Sequence, residues 1–355
     1  CSLRESRSRA LRHLIVLENP QKILIVGAGL AGTLMAWELL KRKIQFQVWD
    51  NGSPSASSVA AGMYNPLSFK RLVEVWNASP HMNAMQQTYE ELQEFLGITV
   101  LHPTPIIRIF PNDQYRDLWQ RRYDTGHDVA IWIGPALQAE EAPEGIVAPY
   151  GFGVVRDAGW VDVAILIEAM RSFLNKEGRF RVKSWDMSTT HNFDSVIDCR
   201  GVGAKEDLAT EGLKLAADHG EILTIKSDTL TTDGKILNRV KWLLPTAHNT
   251  FKLGATYEWN VADSKPTEKG KIDLLESIAP ILSEEIAKDF TIINHESGLR
   301  PTSHDRRPFV GVSKYKKEIY ILNGLGTRGV LIGPSVTNEL ASHILDGVEL
   351  SKEIN

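Results

Sequence analysis

The stretch from Lys22 to Asp50 constrains the fold more than any other, because it holds a strand, a glycine turn, a helix and a second strand in unbroken succession. It reads KILIVGAGLAGTLMAWELLKRKIQFQVWD. The run at residues 23–26 is apolar and β-branched, which is typical of a parallel strand covered on both faces. The pattern predicts a helix over residues 30–41 and a second strand over residues 46–49. This stretch therefore indicates a parallel α/β unit.

The turn inside this unit has the spacing of a nucleotide-binding loop. Gly27, Gly29 and Gly32 form G-x-G-x-x-G, which combines a tight turn, close backbone approach to a pyrophosphate and close packing of helix on strand. The amides at the start of the helix would add partial positive charge. Asp50 follows where a carboxylate can accept hydrogen bonds from ribose hydroxyls. These features predict an adenine dinucleotide site, without separating FAD from NAD; a purely structural glycine turn is the alternative.

Composition sets broad limits on the class of protein. A chain of 355 residues with 43% hydrophobic content can bury a large core and suggests two domains. The net charge of -4 gives no case for general nucleic-acid binding, but leaves a local basic groove open. The two cysteines, Cys1 and Cys199, argue against a disulfide framework and a cysteine-based metal site, and favour a reducing, cytoplasmic compartment. No apolar run reaches the length of a membrane span.

Four separated motifs resemble those of the FAD-dependent oxidoreductases of the D-amino-acid oxidase superfamily, especially its glycine and sarcosine oxidase branch. They are GAGLAG with Asp50, SPSASSVAAGMYNP, DSVIDCRGVGA, and the C-terminal pair GLRPTSHDRRPFVG and NGLGTRGVLIGP. The resemblance extends over residues 22–345 and implies FAD as the cofactor. Some members tether the flavin through a cysteine in the segment that matches RPTSHDRRPF. This sequence has no cysteine there, so we expect FAD to bind noncovalently.

The resemblance also implies a fold and its division into domains. The fold class is α/β, with a Rossmann-like FAD-binding domain of glutathione-reductase-type topology and an α+β substrate domain built on an antiparallel sheet. We assign residues 21–78, 151–214 and 299–355 to the FAD-binding domain, and residues 79–150 and 215–298 to the substrate domain. Residues 1–20 are treated as an N-terminal extension, either disordered or left over from expression.

The residues expected to contact FAD lie in the glycine turns and in the serine-alanine loop. They are Gly27, Ala28, Gly29, Leu30, Ala31, Gly32, Asp50, Asn51, Ser58, Ala60, Ala61, Gly62, Met63, Cys199, Gly201, Gly326, Thr327, Arg328, Gly329 and Val330. Cys199 is expected to be a small buried residue rather than a nucleophile, because the sequence places no histidine base beside it.

The implied reaction is hydride transfer from the carbon beside an amine to the flavin, giving an imine that hydrolyses. Arg300 and Arg328 match family arginines that approach the substrate carboxylate or the flavin edge, and guanidinium can bind a carboxylate through two hydrogen bonds. Trp242 stands where the glycine oxidase branch has a tyrosine, and Tyr257 lies on the next pocket strand. An indole N–H can donate a hydrogen bond but cannot accept one, which weakens the case for glycine itself as the substrate. Structural salt bridges and core packing are the alternatives for these four residues.

Two other functions stay open at this stage. The segments AAGMYNPLS, LGATYEW and GLGTRGVLIGP also resemble the oxidase domain that acts on the carboxymethylaminomethyl group of modified tRNA wobble uridine. RNA would require a basic rim, for which Lys70, Arg71, Arg306 and Arg307 are candidates, although the last two could equally be solvated. A non-catalytic flavin-binding interaction protein is the alternative of another class. Oxygen and a quinone-type carrier both remain possible electron acceptors, and the substrate and oligomeric state are not predicted.

Overall fold

The computed structural model describes residues 19–205, 207–259 and 264–354. Most of the predicted N-terminal extension, residues 1–18, lies outside the described residues. The strands are β1 (Asn19–Val26), β2 (Ile44–Asp50), β3 (Met63–Tyr64), β4 (Leu67–Ser68), β5 (Val73–Glu74), β6 (Leu101–Pro103), β7 (Ile106–Ile109), β8 (Phe152–Val155), β9 (Gly159–Val161), β10 (Phe180–Val182), β11 (Ser195–Asp198), β12 (Ala216–Lys226), β13 (Ile236–Asn238), β14 (Trp242–Ala247), β15 (Thr250–Gly254), β16 (Glu258–Trp259), β17 (Thr291–Thr302), β18 (Phe309–Val312) and β19 (Ile319–Asn323). The helices are α1 (Leu30–Lys41), α2 (Ala56–Val59), α3 (Ala78–Leu96), α4 (Asp113–Asp124), α5 (Val163–Lys176), α6 (Glu268–Ile278), α7 (Glu284–Lys288) and α8 (Gly329–Asp346).

The first sheet has six strands in the order β10-β2-β1-β11-β19-β18. All neighbours in it are parallel except the edge pair β18 and β19, which is antiparallel. Strand β1 lies inside the sheet, where Ile23, Leu24 and Ile25 are fully buried. This burial explains why the predicted strand is apolar throughout rather than alternating. Helices α1 and α8 contribute Leu34 and Leu340 to the main hydrophobic core, which covers this sheet.

Helix α1 has the predicted bounds, whereas α8 begins six residues before the position predicted for it. From the sequence we expect this helix to run from about Ser335 to Asp346, after the glycine turn NGLGTRGVLIGP. In the structure Pro334 lies inside the helix, so the carbonyl of Val330 loses its usual helical donor. The hydroxyl of Tyr89 donates to that carbonyl at 3.2 Å instead. A partner from helix α3 thus satisfies the backbone group that the proline leaves free.

The second sheet has eight strands, seven of them in the order β16-β12-β15-β14-β13-β7-β8, with β17 paired to β12. It is antiparallel except for the parallel pair β13 and β7. The alternation in the segment KILNRVKWLLP predicts one antiparallel strand, but in the structure it is a hairpin of β13 and β14 that pairs Asn238 with Trp242. The sequence HESGLRPTSHDRRPFVG is a segment of glycine, proline and arginine, and its pattern does not predict strand β17. The prediction missed it because its pairing with β12 is long-range.

Two of the domain boundaries drawn from the sequence do not coincide with this pairing. Strand β8 belongs to the eight-stranded sheet, although the boundary at residues 150 and 151 places it in the FAD-binding domain. Strand β17 continues through the boundary at residues 298 and 299 and remains paired to β12 over its length. The chain therefore leaves the eight-stranded sheet after β8 and after β17, not before β8 or within β17.

A buried histidine lies where helix α3 contacts helix α8. His81 is 4% exposed, and its Nδ1 contacts the hydroxyl of Ser335. Its ring stands edge-on to Trp76 at 4.8 Å, and the Trp76 ring lies 4.0 Å from the guanidinium of Arg307. Burial, together with the charge of Arg307, lowers the pKa of His81 from 6.5 to about 4.

This histidine should make the fold sensitive to acid. The unfolded chain takes up a proton below its ordinary pKa, whereas the folded chain excludes that proton down to about pH 4. The stability from neutral His81 is therefore complete above pH 6.5 and falls by about 3 kcal/mol as pH drops towards 4. We expect His81→Gln to flatten this part of the stability profile in urea titrations from pH 7 to 4. His191→Gln, at an exposed site, should retain the parental slope; equal slopes in all three proteins would refute the assignment.

Candidate cofactor and substrate site

A cavity of about 500 Å³ connects the two sheets. One wall is formed where strands of the six-stranded sheet end, at Val26, Asp50 and Cys199. The other wall comes from the eight-stranded sheet and includes Gly220 and Trp242. A ligand in this cavity would therefore touch both the dinucleotide unit and the second sheet.

The glycine turn leaves backbone exposed to the cavity because side chains do not fit there. Gly27 has φ +99°, and a Cβ on it would lie 2.7 Å from the carbonyl oxygen of Cys199. A Cβ on Gly32 would lie 1.9 Å from the carbonyl oxygen of Gly27, so this position allows α1 to pack against the turn. Gly29 precedes α1, has no capping side chain and lines the cavity. The positive end of the helix thus borders the space, as an anionic phosphate requires.

Asp50 is fixed at the edge of this cavity by two backbone amides. Its Oδ2 accepts from the Ala28 N–H at 2.8 Å, and its Oδ1 accepts from the Gly52 N–H at 2.8 Å. Each carboxylate oxygen has acceptor capacity for a further hydrogen bond. The carboxylate therefore holds the turn in place and could still accept from ribose hydroxyls.

The serine-alanine loop contributes a different serine from the one selected from the sequence. Ser57 lines the cavity, and its Oγ accepts from the Leu30 N–H at 3.1 Å. Ser58 is not among the lining residues, and its Oγ donates to the carbonyl of Ser55 at 2.7 Å. Consecutive residues of a helix point about 100° apart, and α2 turns Ser57 towards the glycine turn. The cluster of serines in the sequence indicated a loop close to the cofactor. Only the orientation of the helix shows which serine faces the cavity.

Most of the other predicted FAD contacts line the cavity. They are Gly27, Gly29, Leu30, Ala31, Asp50, Asn51, Ala60, Ala61, Gly62, Met63, Cys199, Gly201, Gly326, Thr327, Gly329 and Val330. Ala28, Gly32, Ser58 and Arg328 are not among the lining residues. Ala28 and Gly32 act behind the surface, through the hydrogen bond to Asp50 and the packing of α1.

Arg200, Lys183 and Trp185 are among the lining residues that the sequence analysis missed. Arg200 donates to Asp198 at 2.7 Å and to Asp207 at 2.9 Å, and its guanidinium lies 4.7 Å from the ring of Trp185. The ammonium of Lys183 lies over the ring of Trp49, 3.9 Å from its centroid. Arg200 stands within the motif DSVIDCRGVGA and could have been noticed there. Lys183 and Trp185 had no such signal, because only the folding of the chain after β10 brings them to the cavity.

Cys199 is a buried lining residue whose chemistry is suppressed. Burial, assisted by the negative charge of Asp198, raises the pKa of its thiol well above the ordinary value. The thiol therefore stays protonated near neutral pH and is a poor nucleophile. Its backbone N–H donates to the carbonyl of Val26 at 2.8 Å, which ties the ends of β11 and β1 together.

Arg300 lies in the cavity wall formed by the second sheet and is paired with an acid. Its Nη1 donates to Oδ2 of Asp218 at 3.0 Å and to the carbonyl of Thr256 at 3.3 Å. Asp218 lies opposite Arg300 in the pairing of β12 with β17 and is 1% exposed. The Arg300 guanidinium rests on the backbone of Gly220, where a Cβ would come within 1.9 Å of it. Arg300 is therefore held rigidly, with part of its charge compensated.

Two aromatic side chains complete this part of the wall. Trp242 lies across Gly254, where a Cβ would come within 2.6 Å of the indole ring. Tyr257 is 55% exposed, and its ring centroid lies 4.8 Å from the Arg300 guanidinium. On the same ring, the ammonium of Lys241 lies 5.3 Å from the centroid. The structure thus places Arg300, Trp242 and Tyr257 on one part of the cavity wall and adds Lys241, which the sequence analysis missed.

Arg328 lies immediately behind the cavity surface. Its neighbours Thr327 and Gly329 line the cavity, and its own backbone directly precedes α8. Its Nη1 is buried, and no described residue accepts a hydrogen bond from it. Burial and the nearby charge of Arg306 lower the pKa of Arg328 to about 10, so it remains a cation at neutral pH.

The residues of this cavity fit FAD. Backbone from several glycines faces the space, a helix N-terminus borders it, and a fixed carboxylate lies at its edge. An elongated anionic dinucleotide needs these features. The described residues include no group of three or more histidine, cysteine, aspartate or glutamate side chains placed to hold a metal ion. Within the same part of the chain, no helix has the length and apolar character needed to cross a membrane.

Comparison with known proteins agrees with this geometry. The chain is 23% identical over 360 residues to the tRNA 5-methylaminomethyl-2-thiouridine biosynthesis bifunctional protein MnmC of Marinobacter nauticus, covering 91% of this chain and 55% of that protein. It is 22% identical over 359 residues to glycine oxidase of Pseudomonas putida, covering 93% and 95%. The crystal structure of glycine oxidase from Geobacillus kaustophilus matches with a TM-score of 0.76 at 19% identity, covering 94% and 100%.

The chain thus spans about half the length of the bifunctional relative, and nearly all of the glycine oxidases. The model of the family described as DAO, FAD dependent oxidoreductase, matches residues 22–342. That range contains every cavity-lining residue described above, and both sheets apart from the first three residues of β1. The protein with this cavity is therefore a member of the DAO family of FAD-dependent oxidoreductases, and its cofactor is FAD.

Proposed function

We propose that this oxidoreductase oxidises the C–N bond of an amino acid or a secondary amine. The observation that carries the proposal is Arg300, a fixed guanidinium in a cavity wall that also contains Trp242 and Tyr257. Both hydrogen bonds that Arg300 donates to described side chains and carbonyls come from Nη1, so its other N–H groups remain as donors for a carboxylate. Bound FAD would supply the hydride acceptor.

The protein's own contribution is binding and orientation. Arg300 would hold the substrate carboxylate through charge-assisted hydrogen bonds, which are stronger than neutral ones. Trp242 would form an apolar wall and Tyr257 a partly exposed rim, so the amine-bearing carbon is positioned between them and the cofactor. The cysteine content of the sequence makes the cytoplasm the compartment in which we place this activity.

Product analysis tests the proposed reaction. The purified protein would be incubated with a panel of small amino acids and secondary amines and an artificial electron acceptor, and the carbonyl product would be trapped as a hydrazone. We expect one class of amine to give a trapped carbonyl compound together with the released amine or ammonia. Formation of neither from any amine in the panel would contradict the proposal.

Arg328 provides a second test on a different side chain. Arg328→Met removes a buried cation beside the cavity whose Nη1 has no described partner. Loss of a charge-assisted contact typically costs on the order of 1.5 to 3 kcal/mol, so we expect kcat/KM to fall roughly tenfold to more than a hundredfold while FAD stays bound. Arg306→Met removes an exposed neighbouring charge and should have little effect. Unchanged kcat/KM in Arg328→Met would remove this residue from the site.

One observation favours modified tRNA as a second candidate substrate. Tyr257 and Trp259 are both 55% exposed, and Arg300 and Lys241 flank the first of them. Exposed aromatic rings beside cations can stack on bases and attract phosphates. Lys70 and Arg71 are exposed as an RNA rim would need, whereas the guanidinium of Arg307 packs over Trp76.

An anticodon stem-loop carrying a carboxymethylaminomethyl uridine would test this candidate against the same stem-loop with plain uridine. If RNA is the substrate, only the modified stem-loop should reduce the flavin. Trp259→Ala should then weaken binding of both, because base stacking is worth about 1 to 3 kcal/mol. Failure of the modified stem-loop to reduce the flavin would remove this candidate.

A further inference from the structure

Three cations interact with Tyr257, and they are not equivalent. Arg300 and Lys241 lie 4.8 Å and 5.3 Å from its centroid, and Arg328 is close enough to interact with it electrostatically. Among the described residues, only Arg300 of these three has a carboxylate oxygen within 4.0 Å, from Asp218. The rim of the cavity therefore carries more positive charge than one substrate carboxylate would neutralise.

The charge of Arg300 is largely compensated before any ligand binds. Asp218 is 1% exposed and lies in register with Arg300, so the two charges form a nearly neutral unit within the wall. This unit still offers N–H donors to a carboxylate. It adds little net charge, however, because oppositely charged partners at 3.0 Å cancel over longer distances.

Lys241 differs from Arg300 because its ammonium contacts a backbone carbonyl and an aromatic ring, and no carboxylate of a described residue. It lies in the turn between β13 and β14, next to the lining residue Trp242, and its Nζ donates to the carbonyl of Ala255. Ala255 and Tyr257, the two residues that its ammonium contacts, also line the cavity. An ammonium has three N–H donors, so two remain after the bond to Ala255. Asp273 and Asp218 act on Lys241 through longer-range electrostatics, and the charge of Arg300 opposes them.

We propose that the substrate carries a second carboxylate, which binds the ammonium of Lys241 beside the ring of Tyr257. This inference rests on the amine oxidation proposed above. Arg300 then positions the carboxylate next to the reacting carbon, and Lys241 selects for the additional one. Lys241 is thus a specificity-determining residue, and the preferred substrate class is an amine with two carboxylates. The half-buried setting of the ammonium strengthens this preference, because water screens the attraction less there.

Substrate pairs that differ by one carboxylate test this inference. N-(carboxymethyl)glycine would be compared with N-ethylglycine, and each enantiomer of aspartate with the same enantiomer of 2-aminobutyrate, because a methyl group replaces a carboxylate in each pair. The readout is the Kd for anaerobic reduction of the bound flavin. We expect the dicarboxylate in at least one pair to bind roughly tenfold or more tightly, as a charge-assisted contact implies.

Variants then assign the preference to one side chain. Lys241→Met should bring the ratio of Kd values close to one, and Lys241→Arg should retain much of it. Lys269→Met is the control, because Lys269 is 71% exposed and pairs with Glu258 at 3.2 Å near the same rim; its ratio should match that of the parent.

The two proposals fail in different ways. A parental ratio at or below one, or an undiminished ratio in Lys241→Met, overturns the second carboxylate while monocarboxylate amines still reduce the flavin. If no amine of either kind reduces the flavin, the proposed amine oxidation fails and this inference fails with it.

Discussion

We expect Gly62→Ala to yield a protein that is destabilised by about 3 kcal/mol or more and retains little FAD after purification. Gly62 lines the cavity and has φ +68°, a backbone conformation in which an L side chain is strained. A Cβ at this position would also lie 1.8 Å from the carbonyl oxygen of Val161. The backbone of the loop or of β9 must therefore move, and the cavity wall must move with it.

Gly178→Ala separates the two causes of this effect. Gly178 has a similar φ of +67°, but a Cβ there would have no heavy atom within 4 Å. It should therefore cost only about 1 kcal/mol, from backbone strain alone, and leave FAD binding unchanged. The measurements are the ratio of flavin to protein absorbance and the free energy of unfolding in urea. A Gly62→Ala protein with the parental flavin content would contradict the close packing of this loop.

The second large effect is expected from Arg300→Met. This change leaves Asp218 buried without its partner, and breaking a buried ion pair from one side typically costs about 3 to 5 kcal/mol. Because Arg300 is itself 16% exposed, we expect the lower end of that range. Turnover of a carboxylate-bearing amine should fall as well, because the guanidinium that would bind the carboxylate is gone.

The pH dependence of this loss follows from Asp218. Burial raises the pKa of Asp218, and Arg300 opposes that rise. Without Arg300 the folded-state pKa should rise further, so the folded chain binds the proton more tightly than the unfolded chain does. Stability is then lost as pH increases above about 3.9, the ordinary pKa of aspartate. Arg300→Met should therefore be less stable at pH 8 than at pH 5, relative to the parent.

A double variant distinguishes folding from function. Adding Asp218→Asn to Arg300→Met removes the unpaired charge, so much of the lost stability should return and its pH dependence should disappear. Turnover should not return, because the cation is still missing. Chemical denaturation at pH 5 and pH 8, with kcat/KM measured at pH 8, provides both readouts. Recovery of turnover in the double variant would show that Arg300 acts only through stability.

The parts of the fold that were predictable from the sequence depend on local patterns. Helix α1 and the strands on either side of it follow from hydrophobic periodicity and turn chemistry within 29 consecutive residues, Lys22 to Asp50. Strand β17 escaped prediction because its glycine and proline resemble a loop when read alone. Its extended form depends on pairing with β12, which lies more than 60 residues earlier in the chain.

The candidate site shows the same division between local and long-range information. Arg300 could be selected from its motif, but its pairing with Asp218 joins residues 82 positions apart. Lys241 has no motif of its own, and only the hairpin of β13 and β14 brings it to the ring of Tyr257. Sequence patterns therefore identified the groups in direct contact with the cavity more readily than the partners that set their charge.

Anaerobic titration shows whether this cavity brings an amine to bound FAD. The oxidised flavin absorbance would be followed while glycine, N-methylglycine, proline, small amino acids of both configurations and the dicarboxylates above are added without oxygen. Excluding oxygen removes the unidentified electron acceptor from the measurement. We expect at least one of these amines to bleach the flavin band. A yellow protein that none of them reduces, under conditions where dithionite does, would contradict the account.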